Sequence, residues 1–186
     1  MPPRLTFIAH ASTPAVRAAA FPLDEGLDDY GRKDTAEMAD EFRNVPVVLA
    51  SPAKRALETA AVLGHEPEID VALRDIDLGS WAGRTLASIA ETNPDDLASW
   101  LSDPSAVPHG GESVEALFAR TSVWMQSMSN RQGRVLAITH PAVIRTAILA
   151  AIHAGPMSYW HIDIAPLSIV ELTSNGRRWV LKSIRN

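Results

Sequence analysis

Three short apolar runs constrain this chain more than any other feature: Leu5-Thr6-Phe7-Ile8-Ala9, Val47-Val48-Leu49-Ala50 and Val135-Leu136-Ala137-Ile138-Thr139. A strand with one wet face alternates polar and apolar residues, whereas a nearly continuous run of four or five marks a strand covered on both faces, as in a parallel sheet. Each run stops at a polar residue, His10, Ser51 or His140. Between the runs, Thr35, Met38, Ala39 and Phe42 recur at helical spacing, and Val114, Leu117, Phe118, Thr121, Met125 and Met128 form a longer stripe. Ser51-Pro52 reads as an N-cap followed by proline at the first helical position, and His140-Pro141 has the same form. Ser168 to Thr173 and Trp179 to Ile184 flank the turn signal Ser174-Asn175-Gly176-Arg177, which predicts a closing hairpin. Thr92 to Pro108, with Pro94, Pro104 and Pro108, reads as a surface excursion.

Size and composition narrow the function classes. The chain has 186 residues, 46% of them hydrophobic and 21% charged, which suits one globular domain over residues 1–186. No cysteine is present, so disulfides, thiolate metal sites and cysteine nucleophiles are excluded. The net charge of −5 disfavours binding to nucleic acid. Leu5 to Ala9 is too short for the core of a secretory signal, and Val143 to Ile152, interrupted by Arg145, is too short to span a bilayer. The expectation is a cytoplasmic protein without membrane association. A homodimer is the self-association allowed for, although no residue pattern sets an oligomeric state. His65, His109, His153 and His161 lack metal-ligand spacing, so no metal and no cofactor are expected. The five tryptophans are dispersed without interleaved basic residues and read as core or rim.

Chemistry collects at the strand ends. Ligands of open α/β sheets bind beyond the carboxyl ends of the strands, where this chain carries His10, Ser51 with Arg55, and Thr139-His140. Arg55, just over one turn into its helix, can reach back to an N-terminus whose free N–H groups favour an anion. A phosphate or carboxylate site is the expectation.

These residues carry a resemblance. Ile8-Ala9-His10-Ala11-Ser12-Thr13 resembles the Arg-His-Gly opening of the histidine phosphatase superfamily, the phosphoglycerate mutase-like group. Ser51-Pro52-Ala53-Lys54-Arg55-Ala56-Leu57-Glu58-Thr59-Ala60 resembles the family's Ser-Pro-x-x-Arg-Ala-x-x-Thr-Ala segment, and Leu73 to Gly83 its Leu-x-Glu-x-x-x-Gly-x-Trp-x-Gly segment. Gly110-Gly111-Glu112-Ser113 is similar to the Gly-Glu-Ser element before a long helix, and His140-Pro141-Ala142-Val143-Ile144-Arg145 to the second-histidine segment. The resemblance implies an α/β fold, a three-layer αβα sandwich whose mostly parallel central sheet has helices on both faces.

It also implies roles. His10 is the expected nucleophile, forming a transient phosphohistidine; Arg55 and a protonated His140 would hold the phosphate; Asp75 stands at the acid position, where the family more often has glutamate. As proton donor, Asp75 would need burial or nearby negative charge, from bound phosphate or Asp77. Ser12 and Thr13 are candidate local phosphate ligands, and His109 and His161 candidate pocket-border residues. Two departures stand out. Ala9 occupies the place of the arginine before the nucleophile, and Val16 that of an asparagine six residues after it. Loss of one such donor commonly costs on the order of 10²–10³ in rate. Arg17 is the candidate to fill the space, in which case Arg17→Ala would abolish phosphate binding. The leading function is a metal-independent phosphomonoesterase acting on a small phosphorylated metabolite. The alternatives are a catalytically weak or inactive phosphate-ester binding pseudoenzyme on the same scaffold and a phosphohistidine-type phosphoprotein phosphatase. Leaving-group selectivity is expected from Ala15 to Gly26 and from Trp81 to Gly110.

Overall fold

The computed structural model describes residues 2–186. Its elements run β1 (Arg4–Ala9), α1 (Pro14–Arg17), α2 (Asp29–Phe42), β2 (Val48–Ala50), α3 (Lys54–Val62), β3 (Glu68–Ile69), α4 (Leu86–Thr92), α5 (Pro94–Ser102), α6 (Val114–Met128), β4 (Arg134–Thr139), α7 (Pro141–Ala151), β5 (Ile169–Ser174) and β6 (Trp179–Arg185). The strands form one sheet in the order β3-β2-β4-β1-β5-β6. Strands β1 to β4 are parallel, and the hairpin β5-β6 is antiparallel.

Strand alternation shows why the apolar runs are unbroken. Leu5, Phe7 and Ala9 of β1, with Val135 and Ala137 of β4, pack on one face against α6 and α7, through side chains such as Leu117, Val143 and Ile148. Ile8, Leu136 and Ile138 point the other way, onto Phe42 of α2 and Ala56 and Ala60 of α3. Both faces are apolar because both are covered. The sandwich therefore has three layers, as expected.

Two local readings need correction. Helix α3 begins at Lys54 and has no side-chain cap, rather than starting at Ser51-Pro52. Ser51 is fully buried, and its hydroxyl faces His140 instead of capping a helix. The stretch from Thr92 to Pro108 is also more than an excursion. Pro94 opens α5, and Trp100 buries with Leu78, Trp81 and Ile89 in a separate cluster, against which Phe21 and Trp160 pack. Phe21 stacks on Trp81 at 6.0 Å, and Trp100 meets Trp81 edge-on at 5.8 Å, geometries that favour aromatic pairs.

Among the described residues, no helix is long and apolar enough to cross a membrane.

Candidate active site

Because β1 and β4 are neighbours in register, the residues that follow them meet. Ala9 pairs with Thr139, so His10 and His140 emerge side by side, their rings 5.2 Å apart and inclined at 63°. His10 donates its main-chain N–H to the Thr139 carbonyl, and Thr139 Oγ1 donates to the carbonyl of Leu73 at 2.7 Å. That last bond brings the loop carrying Asp75 to the sheet end.

Hydrogen bonding fixes the tautomer of His10. Its Nδ1 lies 2.9 Å from the Ala11 carbonyl, which only accepts, so Nδ1 carries the proton. Nε2 is left with its lone pair, facing Arg55 Nε at 3.3 Å. Burial, then the neighbouring His140 and Arg55, pull the His10 pKa from 6.5 to about 3, outweighing the Ala11 bond and Asp75, so the ring is neutral at pH 7. A neutral imidazole with a directed lone pair is the form a nucleophile needs.

Arg55 sits in the first turn of α3, 3% exposed. Besides Nε, its Nη1 donates to the Leu23 carbonyl at 2.9 Å and its Nη2 to Asp75 Oδ2 at 2.6 Å. His140 Nε2 lies 2.7 Å from Ser51 Oγ, and its Nδ1 lies 3.2 Å from Asp75 Oδ2 without the alignment of a hydrogen bond. Burial pushes the Asp75 carboxyl up, but His140, Arg55 and His10 together hold it well below the usual carboxylate range. Asp75 is therefore ionised in the ligand-free site. Asp77, the sequence candidate for opposing that effect, instead accepts from the Gly79 amide.

The loop after β1 is held by α3, since the Ala11 amide donates to Thr59 Oγ1 at 3.1 Å, and that hydroxyl donates to the Arg55 carbonyl. Ala11 has no left-handed backbone, so the methyl replacing the family's glycine is carried without strain. The Gly110-Gly111-Glu112-Ser113 element holds the opposite loop. A Cβ on Gly111 would lie 2.1 Å from the Asp77 carbonyl, Glu112 donates its amide to that carbonyl, and Ser113 caps α6. Arg120 of α6 completes the clamp, donating to the carbonyls of Ala72, Arg74 and Asp75 while forking onto both Glu112 oxygens.

Other candidates go elsewhere. Thr13 caps α1, which turns Arg17 outward, where its guanidinium lies over the Tyr30 ring at 4.4 Å. Arg17 lines a separate depression and does not fill the space left by Ala9 and Val16. Ser12 Oγ donates to Asp28 and Thr13 Oγ1 to Glu25, so both hydroxyls serve the loop rather than the cavity. His109 packs edge-on against Trp81, and His161 is exposed; neither lines the cavity. Ala9 is fully buried in the core.

Above His10 opens a cavity of about 250 Å³, walled by apolar side chains including Val16, Phe21, Leu78, Trp100 and Ile164, with Asp75, Arg145 and Tyr159 also lining it. In the sequence Arg145 appears as a break in an apolar run and as the last residue of the second-histidine segment, without an assigned role. Its place five residues after His140, in the second turn of α7, was the available signal.

A three-layer α/β sandwich that brings two histidines, an arginine and a carboxylate to one strand-end crevice has a site suited to an anionic ligand such as a phosphate. The comparisons give the family: residues 5–186 match the histidine phosphatase superfamily (branch 1), and the chain belongs to it. A bifunctional protein of Mycobacterium tuberculosis is 28% identical over 94% of this chain, which spans 52% of that relative's length, about half. Phosphoserine phosphatase 1 of Hydrogenobacter thermophilus is 26% identical, over 86% of this chain and 81% of its own. The solved structure of a mycobacterial glucosyl-3-phosphoglycerate phosphatase in complex with VO3 is 25% identical, covers 97% of both chains and superimposes with a TM-score of 0.86.

Proposed function

We propose that this chain is a metal-independent phosphomonoesterase acting on a small phosphorylated metabolite. The observation that carries the reading is the unprotonated Nε2 of His10 at the cavity base, with Arg55, His140 and Asp75 gathered around it. In the first step Nε2 attacks phosphorus in line, the bond to the ester oxygen breaks, and that oxygen takes a proton as it leaves. In the second, water attacks the phosphohistidine, the P–N bond breaks, and inorganic phosphate and neutral His10 are released. Arg55 offsets the charge on the equatorial oxygens, and His140 stands beside them as a hydrogen-bonding partner. With the phosphate dianion bound beside it, Asp75 takes up a proton from solvent, gives it to the leaving oxygen, and regains one from the water that attacks the phosphohistidine. The phosphatase relatives support the reaction class. The confined cavity favours a small ester over a phosphorylated protein.

A second reading, binding without turnover, is favoured by specific features. Ala9 supplies no donor, and every Arg55 nitrogen already has an acceptor within the protein. The two readings separate by turnover of p-nitrophenyl phosphate and a panel of metabolite phosphates without added metal. The phosphatase reading expects hydrolysis by the wild type, acid-labile phosphate on His10, and a fall of at least 10³-fold, by order of magnitude, in His10→Ala. Equal inactivity of wild type and His10→Ala on every ester hands the site to the binding reading.

A further inference from the structure

We propose that Arg145 forms a carboxylate-binding subsite for the leaving group, which makes the substrate a compact phosphorylated organic acid; this rests on the phosphomonoesterase reading. Helix α7 turns Val143, Ile144, Ala147 and Ile148 into the core and leaves Arg145 on the cavity side. Among the described residues Arg145 is the only lysine or arginine lining the cavity. Arg55, deeper and 4% exposed at its side chain, lies among His10, Leu23 and Asp75 at the phosphate end.

Arg145 is held in place but not neutralised. Its guanidinium carbon lies 5.3 Å above the ring of buried Tyr159, which fixes the plane of the fork. Its Nε is shielded from solvent and has no hydrogen-bond acceptor in the protein. Among the described residues the one carboxylate within 4.0 Å of it, Asp163, stands 3.7 Å from Nη2 and is 97% exposed, so that pair is weak and readily exchanged for a ligand. The guanidinium keeps part of its fork open to the cavity, and a carboxylate accepts such a fork through two oxygens where a neutral leaving group offers no charge. Exposure separates the two anion positions. His140 is fully buried and Arg55 nearly so beneath the phosphate position, whereas the Arg145 side chain is 25% exposed. The apolar walls between them suit a short carbon chain, and the 250 Å³ volume limits its length.

Two esters that differ only at the distal group test this: 3-phosphoglycerate, with a carboxylate, and glycerol 3-phosphate, with a hydroxymethyl. The wild type is expected to favour the acid in kcat/KM, and Arg145→Met to reduce that preference about 10–100-fold, the range of a charge-assisted pair. Arg145→Lys keeps the charge and loses the fork, so it gives an intermediate preference and serves where the methionine variant folds poorly. An unchanged preference overturns the proposal, as does an equal loss on both esters, which would place Arg145 at the phosphate. If the wild type hydrolyses neither ester, turnover of p-nitrophenyl phosphate and the wider panel decides the phosphatase reading on its own. Calorimetric Kd values for the same pair on wild type and Arg145→Met then decide the subsite by the same ratio.

Discussion

The protonation of His10 links the site to stability. Its pKa is about 3 in the folded chain and 6.5 in an ordinary setting, so between those values the unfolded chain binds the extra proton. Stability therefore falls as pH drops through that window, by up to about 1.4 kcal/mol per pH unit from this group, and the contribution is fully present above pH 6.5. Denaturant titrations at pH 7, 5.5 and 4 should show that slope in the wild type and a shallower one in His10→Asn. Ala9 gives a second expectation. Ala9→Arg puts a long cation at a fully buried position, so a lower Tm is expected by differential scanning calorimetry. At this scale the sequence was legible where strand ends dictate position, as for His10, Arg55 and His140. It was not legible where a side chain could turn either way. Arg17 and Arg145 are both arginines near a motif, but the cap on Thr13 sends one to Tyr30, while the burial pattern of α7 keeps the other in the cavity.

Elements position these residues through a few tight approaches. Arg120 holds the loop before and through Asp75 by its carbonyls, and so acts as a positioning residue without touching the cavity. Arg120→Met should lower kcat/KM on the order of 10–100-fold through displacement of Asp75, with Arg120→Lys restoring little because one ammonium cannot span Glu112 and three carbonyls. Steady-state kinetics beside a thermal melt separates that effect from loss of fold. Gly31 packs α2 onto the loop after β1, where a Cβ would come within 2.3 Å of the Ser12 carbonyl. Gly31→Ala should cost about 1–3 kcal/mol in denaturant unfolding. The helical stripes and the closing hairpin were readable because burial imposes their periods. The start of α3 was not, since Ser51 satisfies the usual preference for a cap yet is drawn into the partnership with His140.

At the scale of the molecule, an acidic chain of net charge −5 concentrates cationic groups at one crevice, so phosphate-ester capture should weaken with added salt less than a wholly exposed site would. The strand order carries a further consequence. Strand β1 lies between β4 and β5, so the strand bearing His10 has both hydrogen-bonding partners in residues 134–174. On a ribosome, that segment emerges with two unpaired hydrogen-bonding edges and must wait for more than a hundred further residues before either edge is closed. Local helices can form meanwhile, but the central sheet is a late event of high contact order. Pulse-labelled hydrogen exchange during refolding should protect the amides of Phe7 and Ile8 in the same kinetic phase as those of β5. Nascent chains stalled before β4 should depend on chaperones to remain soluble.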